Sequence, residues 1–132
     1  MVVVDANVLV VALADDGPDG ERVRVRLRGE HLAAPELIDL EVLSVLRRSE
    51  RVGALNTRRA ALAVRDLRDL PLDRAPHLPL VRRCWELRGN VTAYDAAYVA
   101  LAETLGVPLL TADRRLAASP GLSCAIELLA GG

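Results

Sequence analysis

The sequence predicts an α/β fold, a three-layer α/β/α sandwich around a central, mostly parallel sheet of four to five strands. Three observations carry this. Segments of strand length alternate with segments of helix length, the pattern of parallel strands joined by right-handed helical crossovers. The strand segments are short, nearly unbroken apolar runs, Val2-Val3-Val4 and Val107-Pro108-Leu109-Leu110-Thr111, as expected of strands covered on both faces. The composition is 52% apolar but only 2% aromatic, with no Phe, so Leu, Val and Ala must build the core. At 132 residues the chain is read as a single domain, 1–132, able to bury about two-thirds of its unfolded surface.

Val2 to Val4 is the first strand and leads into an apolar helix over Val8 to Ala14. The cluster Asp15 to Gly20 is a turn. A polar helix follows from Glu21 to Arg28, with Val23 and Leu27 four residues apart and its four Arg side chains toward solvent. Leu32-Ala33-Ala34 is the second strand. Pro35 suits a first helical turn and opens a helix from about Glu36 to Arg51, which Gly53 helps to stop. Asn56 or Thr57 caps the next helix, to about Leu70, with Leu62 and Leu67 inward and Arg58, Arg59, Arg65 and Arg68 mostly outward. Leu72-Asp73-Arg74 is a short third strand. The Pro76 to Pro79 region introduces a helix through Val81, Trp85 and Leu87 to Gly89. Thr92 caps a helix from Ala93 to about Leu105, which Gly106 terminates. Val107 to Thr111 is the next strand, Ala112 to Ala118 a short helix, Cys124 to Leu128 a last strand, and Gly131-Gly132 a frayed end. In such folds ligands sit beyond the carboxyl ends of the strands.

Composition removes several kinds of chemistry. All 17 basic residues are Arg, so a P-loop phosphate lysine and a Schiff-base lysine are both excluded, while anion contact through planar guanidinium groups is retained. A net charge of −1 exerts no global pull on a polyanion, so any nucleic-acid contact must come from local Arg clusters or a bound metal. Cys84, Cys124, His31 and His77 form no zinc spacing, and the two thiols read as reduced and cytosolic. The apolar start lacks a basic leader and is broken by Asp5 and Asn7, so it is not read as a signal peptide. No run reaches the length of a membrane span, and the protein is expected to be cytoplasmic.

Four acids stand at the edges of apolar segments, where a solvated charge is out of place. Asp5 ends the first strand and Asp113 follows the strand Val107 to Thr111, so neighbouring strands would bring both into one crevice; helix capping explains either one singly. Asp95 fits a capping box with Thr92, yet Tyr98, Val99 and Ala102 share its helical face and turn it toward packed material. Glu41 lies among Leu37, Ile38, Leu40, Val42 and Val45, and either joins the set or pairs with Arg48. Glu36, Asp39 and Glu50 read as solvated acids. Two carboxylates 4 Å apart repel by about 4 kcal/mol at a surface-like dielectric, so four together need protons or counter-charge. Oxygen-only donors suit Mg²⁺, or Mn²⁺ in its place.

Val3-Val4-Asp5-Ala6-Asn7, Ile38-Asp39-Leu40-Glu41-Val42-Leu43-Ser44-Val45-Leu46-Arg47-Arg48, Thr92-Ala93-Tyr94-Asp95-Ala96-Ala97-Tyr98-Val99-Ala100-Leu101-Ala102 and Leu110-Thr111-Ala112-Asp113-Arg114-Arg115-Leu116 together resemble the PIN-domain ribonucleases, specifically the VapC-type toxins of toxin–antitoxin pairs. The resemblance runs from Met1 to about Leu128, and the block around Tyr94-Asp95 is its most specific part. Leu116 stands where many relatives have Phe, a difference read as packing. The resemblance implies a PIN-like fold and an endoribonuclease in which Asp5, Glu41, Asp95 and Asp113 bind Mg²⁺, with Asn7 and Thr111 orienting water or carboxylates. It implies in-line hydrolysis of RNA to 5′-phosphate and 3′-hydroxyl ends, a homodimer, and inhibition by a cognate antitoxin whose tail occupies the groove. Arg114 and Arg115 are possible phosphate contacts, against the plainer reading as solvated Arg. Two rivals remain: a PIN-like module that binds without cutting, and a Mg²⁺-binding receiver-type phosphoacceptor, which normally uses a lysine that this chain lacks.

Overall fold

The strand-forming runs assemble into one sheet in the computed structural model, which describes residues 1–129; the Gly131-Gly132 pair lies outside the described residues. Strands β1 (Val2–Val4), β2 (Leu32–Pro35), β3 (Leu72–Ala75), β4 (Leu109–Thr111) and β5 (Ile126–Leu128) are all parallel, in the order β3-β2-β1-β4-β5. The chain builds outward from β1 to β3, then returns to β1's other side for β4 and β5. The gap between β1 and β4 at their carboxyl ends is therefore the topological switch point, where open α/β sheets place their ligands.

Helices α1 (Ala6–Ala14), α2 (Pro18–Leu27), α3 (Ile38–Arg51), α4 (Thr57–Asp69), α5 (Val81–Glu86), α6 (Ala93–Leu105) and α7 (Arg114–Ala117) flank the sheet in the expected α/β/α arrangement. The α6 helix packs on β1, β2 and β4, and α1 gathers α2, α3 and α4 about it. Residues 96–102 of α6 are all buried, which is why that helix reads as apolar around its whole circumference. Its end is a Schellman turn: Gly106 takes φ +67°, with Val107 N–H donating to Ala102 O and Gly106 N–H to Glu103 O. That turn consumes Val107, so β4 starts at Leu109.

Several boundaries depart from the sequence reading for identifiable reasons. The turn after α1 is short because Pro18 already stands in the first turn of α2. Gly20 lies inside that helix rather than in the turn, and it must be glycine because a Cβ there would fall 1.8 Å from the Asp15 carbonyl oxygen. Pro35 is not helical; it ends β2, paired with Ala75. β1 pairs only with Leu32 and Ala33, so Pro35 projects past its neighbour and its missing N–H is not needed there. The helix begins at Ile38 instead. Leu62 is exposed, and the inward stripe of α4 is Ala60, Ala63, Val64 and Leu67.

Arginines expected in solvent act as ties. Arg24 donates to the carbonyls of Ala12 (3.2 Å) and Asp15 (2.7 Å), Arg26 forks onto Glu127 at 2.6 and 2.9 Å, and Arg59 holds Leu13 O (2.8 Å) and Asp16. Asp39 is no solvated acid either: it pairs with Arg74 at 2.7 Å.

Candidate functional site

Asp5 leaves β1 in extended geometry and caps α1, its Oδ1 accepting from the Val8 N–H at 2.9 Å. Its other oxygen accepts from the Thr111 hydroxyl at the end of β4. The same hydroxyl oxygen accepts from the Asp113 N–H at 3.0 Å. Thr111 is completely buried and Asp5 almost so, so adjacent strands are laced together by one side-chain hydroxyl. Asp113 in turn caps α7, its Oδ1 accepting from Arg115 and Leu116 N–H at 2.9 and 3.2 Å. Capping and site membership are thus not alternatives for Asp5 and Asp113: the cap fixes the carboxylate at the switch point and leaves oxygen lone pairs over.

Asp95 enters through the cap of α6, where Thr92 Oγ1 accepts from the Asp95 N–H at 3.2 Å. Glu41, in the first turn of α3, does not pair with Arg48. It accepts from the Tyr98 hydroxyl at 2.5 Å, one helical turn beyond Asp95 on α6. From the sequence Tyr98 reads only as packing; a buried phenol needs an acceptor, and that need is the signal the sequence offers. Leu40, expected to help enclose Glu41, is exposed, so Glu41 is only half-buried, on the rim of the site.

These elements converge on one cleft of about 270 Å³, walled by Asp5, Asn7, Glu41, Asp95, Tyr98 and Asp113, with Ser44 and Arg48 at its edge. Asn7 is exposed at its lip. Burial raises the Asp5 carboxyl above its ordinary range despite the Thr111 and Val8 hydrogen bonds, with the charges of Asp95 and Asp113 adding to the rise. Glu41 is raised by burial and by Asp95, and Asp95 by burial and by Asp113. Asp5, Glu41 and Asp95 each feel at least one other carboxylate of the cleft, yet among the described residues no three His, Cys, Asp or Glu side chains stand close enough to form a ready ligand set.

A second cleft, of about 470 Å³, shares the Asp95 and Asp113 wall and is lined beyond it by Arg88, Asn90, Thr92, Arg115 and Ser119. The Arg115 charge partly offsets the rise at Asp95. Arg114 is exposed on α7 and lines neither cleft.

The PIN domain family model matches residues 2–122. Ribonuclease VapC1 of Mycobacterium tuberculosis (strain H37Rv) is 47% identical over 128 residues, 96% of each chain. Among solved structures, Mycobacterium tuberculosis VapC20, described as a Sarcin-Ricin loop cleaving toxin, matches with a TM-score of 0.70 at 14% identity, over 92% of this chain and 96% of that one. VapBC2 from Rickettsia felis, bound to a DNA fragment from their promoter, matches with a TM-score of 0.68 at 14% identity, over 97% and 98%. At those identities the two structures speak for the fold.

Proposed function

The chain belongs to the PIN-domain family, among its VapC-type members, and from that premise we propose that it is a Mg²⁺-dependent endoribonuclease, the toxin of a toxin–antitoxin pair. The observation that carries this reading is the convergence of Asp5, Glu41, Asp95 and Asp113, from four separate segments, on one cleft at the β1/β4 switch point.

The donor set fits a hard divalent cation: every candidate ligand is oxygen, and neither His nor Cys lines the cleft. Asp5, Glu41, Asp95 and Asp113, which do not stand as a ready ligand set, would draw together to hold the ion, with Mn²⁺ able to take its place. When bound, such an ion supplies positive charge to the scissile phosphate and makes a water more acidic. The chain's own residues do the positioning. Val8 N–H and Thr111 fix the Asp5 carboxylate, Tyr98 fixes Glu41, and the first turn of α7 fixes Asp113. Asn7 offers an amide at the lip for water or phosphate. Incubation of the purified chain with defined single-stranded RNAs should yield 5′-phosphate and 3′-hydroxyl ends with Mg²⁺ and none with EDTA. Undiminished cleavage in EDTA would remove the metal-dependent reading.

A carboxyl group whose folded pKa is raised above its unfolded value stabilises the fold only at low pH, and that contribution is lost as pH rises through the folded value. At pH 7 the acid cluster is therefore a liability in metal-free protein. Glu41→Gln, which can still accept from Tyr98, should melt higher than wild type in EDTA. Saturating Mg²⁺, at 100 times its Kd, should return about 2.7 kcal/mol to wild type, a rise of several degrees, and distinctly less to the variant. Identical melting of both proteins in EDTA and in Mg²⁺ would show that Glu41 is a solvated bystander.

The same reading includes a homodimer, a cognate antitoxin and a cytoplasmic site of action. An apolar cleft lined by Leu37, Val81, Cys84, Trp85 and Tyr94, with Trp85 and Tyr94 each about two-thirds exposed, supports a partner surface of this kind. No helix among the described residues is long and apolar enough to cross a membrane. Light scattering of the chain alone should give twice its 14.2 kDa mass, and the cognate antitoxin should stop cleavage. A monomer at every concentration tested would withdraw the homodimer.

A further inference from the structure

We propose that the cleft lined by Arg88, Asn90, Thr92, Arg115 and Ser119 seats the nucleotide adjoining the scissile phosphate, with Arg88 and Arg115 gripping the RNA backbone there. This rests on the ribonuclease reading and extends it by assigning the path the strand takes away from the acids.

Continuity is the first argument. The acidic cleft and this one have Asp95 and Asp113 as a common wall, so a strand whose phosphate meets the acids has an adjoining groove already open to it.

Charge is the second. An RNA strand must be drawn by local cations, because the chain's net charge is −1. Arg26, Arg59, Arg74 and Arg83 are each clamped on a carboxylate, which cancels their attraction for an anion. Among the described residues neither Arg88 nor Arg115 is bridged to one. Arg88 is held by partners that leave its charge intact: its guanidinium lies 4.2 Å from the Trp85 ring centroid, and Nη1 donates to the Trp85 carbonyl at 2.9 Å. Stacking fixes the plane, and the remaining N–H donors stay available for phosphate oxygens. Arg115 stands at the start of α7, beside Asp113.

The third argument is the polar floor. Asn90 Nδ2 donates to the Pro120 carbonyl at 3.0 Å, which fixes the amide and leaves its oxygen free to accept from a base or a 2′-hydroxyl. Arg48 also lines the acidic cleft. The two joined clefts thus carry Arg48, Arg88 and Arg115 beside the acids, cations that attract flanking phosphates while the carboxylates keep a place for a metal ion.

The test measures binding and cleavage side by side. A labelled single-stranded oligoribonucleotide is titrated by anisotropy across a salt series, and cleavage of the same RNA is followed in Mg²⁺. Arg88→Gln/Arg115→Gln should weaken binding at least about tenfold and flatten the slope of log K against log salt by about 1.4, two contacts at about 0.7 each for single strands. KM should rise while kcat changes little. Arg88→Lys/Arg115→Lys should restore most of the slope, and Arg58→Gln/Arg68→Gln, on α4 and lining neither cleft, should leave it alone. An unchanged slope in the Gln double variant, or an equal loss in the α4 control, would overturn the proposal even if wild type cleaves RNA. Wild type that binds with this Arg dependence but never cleaves would keep the subsite and remove the enzyme.

Discussion

Asp5→Asn should lower RNA cleavage by at least about a hundredfold while the protein keeps its far-UV dichroism and its cooperative melt. The expectation comes from separating the two jobs of this side chain. As a cap it accepts from the Val8 N–H, and Asn caps helices as well as Asp does; its amide can also still face Thr111. The substitution removes the negative charge and one hard oxygen donor. Groups that only orient metal ligands cost about 10–100-fold when lost, so loss of a ligand itself belongs at or beyond the top of that range. Cleavage is to be measured in saturating Mg²⁺ and again in Mn²⁺, so that weakened affinity and lost chemistry are told apart. Activity above a tenth of wild type in either ion would mean that Asp5 serves the fold alone and that Glu41, Asp95 and Asp113 suffice.

How much of this was legible in the sequence follows from the range of the interactions involved. The strands β1 and β4, the caps Asn56 and Thr92, and the Gly106 stop are local in cause: an apolar run, a short oxygen-bearing side chain, a residue free to take positive φ. These were readable. Asp5 and Asp113 stand out because a charge just past a buried strand is anomalous wherever the partner strands lie, and Glu41 and Asp95 because each sits among apolar residues of a helix; all four line one cleft. Pro35 was not readable, because its meaning depends on the β1–β2 pairing ending at Ala33, two residues short of it, a fact of register that belongs to another segment. Arg24, Arg26 and Arg59 were misplaced for the same reason: each binds a carbonyl or carboxylate whose position is set by packing. Leu62 cannot share a face with Ala60, Ala63, Val64 and Leu67 at 3.6 residues per turn, so Leu67 with the small residues, not Leu62, defines the inner stripe. The Tyr98 to Glu41 bond and the Trp85 platform under Arg88 join groups from different helices or from one irregular turn, and no periodicity announces them.

Thr111→Val should weaken Mn²⁺ binding by about 10–100-fold and destabilise the fold by about 1–3 kcal/mol. The two side chains have nearly the same shape, so no cavity is made; only the hydroxyl is lost. That hydroxyl donates to Asp5 and accepts from the Asp113 N–H, and it is completely buried. Its removal leaves one buried carboxylate oxygen and one backbone donor without partners, each bearing its desolvation penalty. It also removes the interaction that most strongly lowers the Asp5 pKa, so protons compete better for the site and the affinity gap between variant and wild type should widen as pH falls. Isothermal titration with Mn²⁺ and urea unfolding in EDTA read the two effects separately, and Thr111→Ser, which keeps the hydroxyl, should recover most of both. A variant that loses stability but binds Mn²⁺ as wild type does would confine Thr111 to joining β1 and β4. Loss of both, with recovery by Ser, would mean that the hydroxyl linking two neighbouring strands also holds the site's most buried carboxylate ready for a cation.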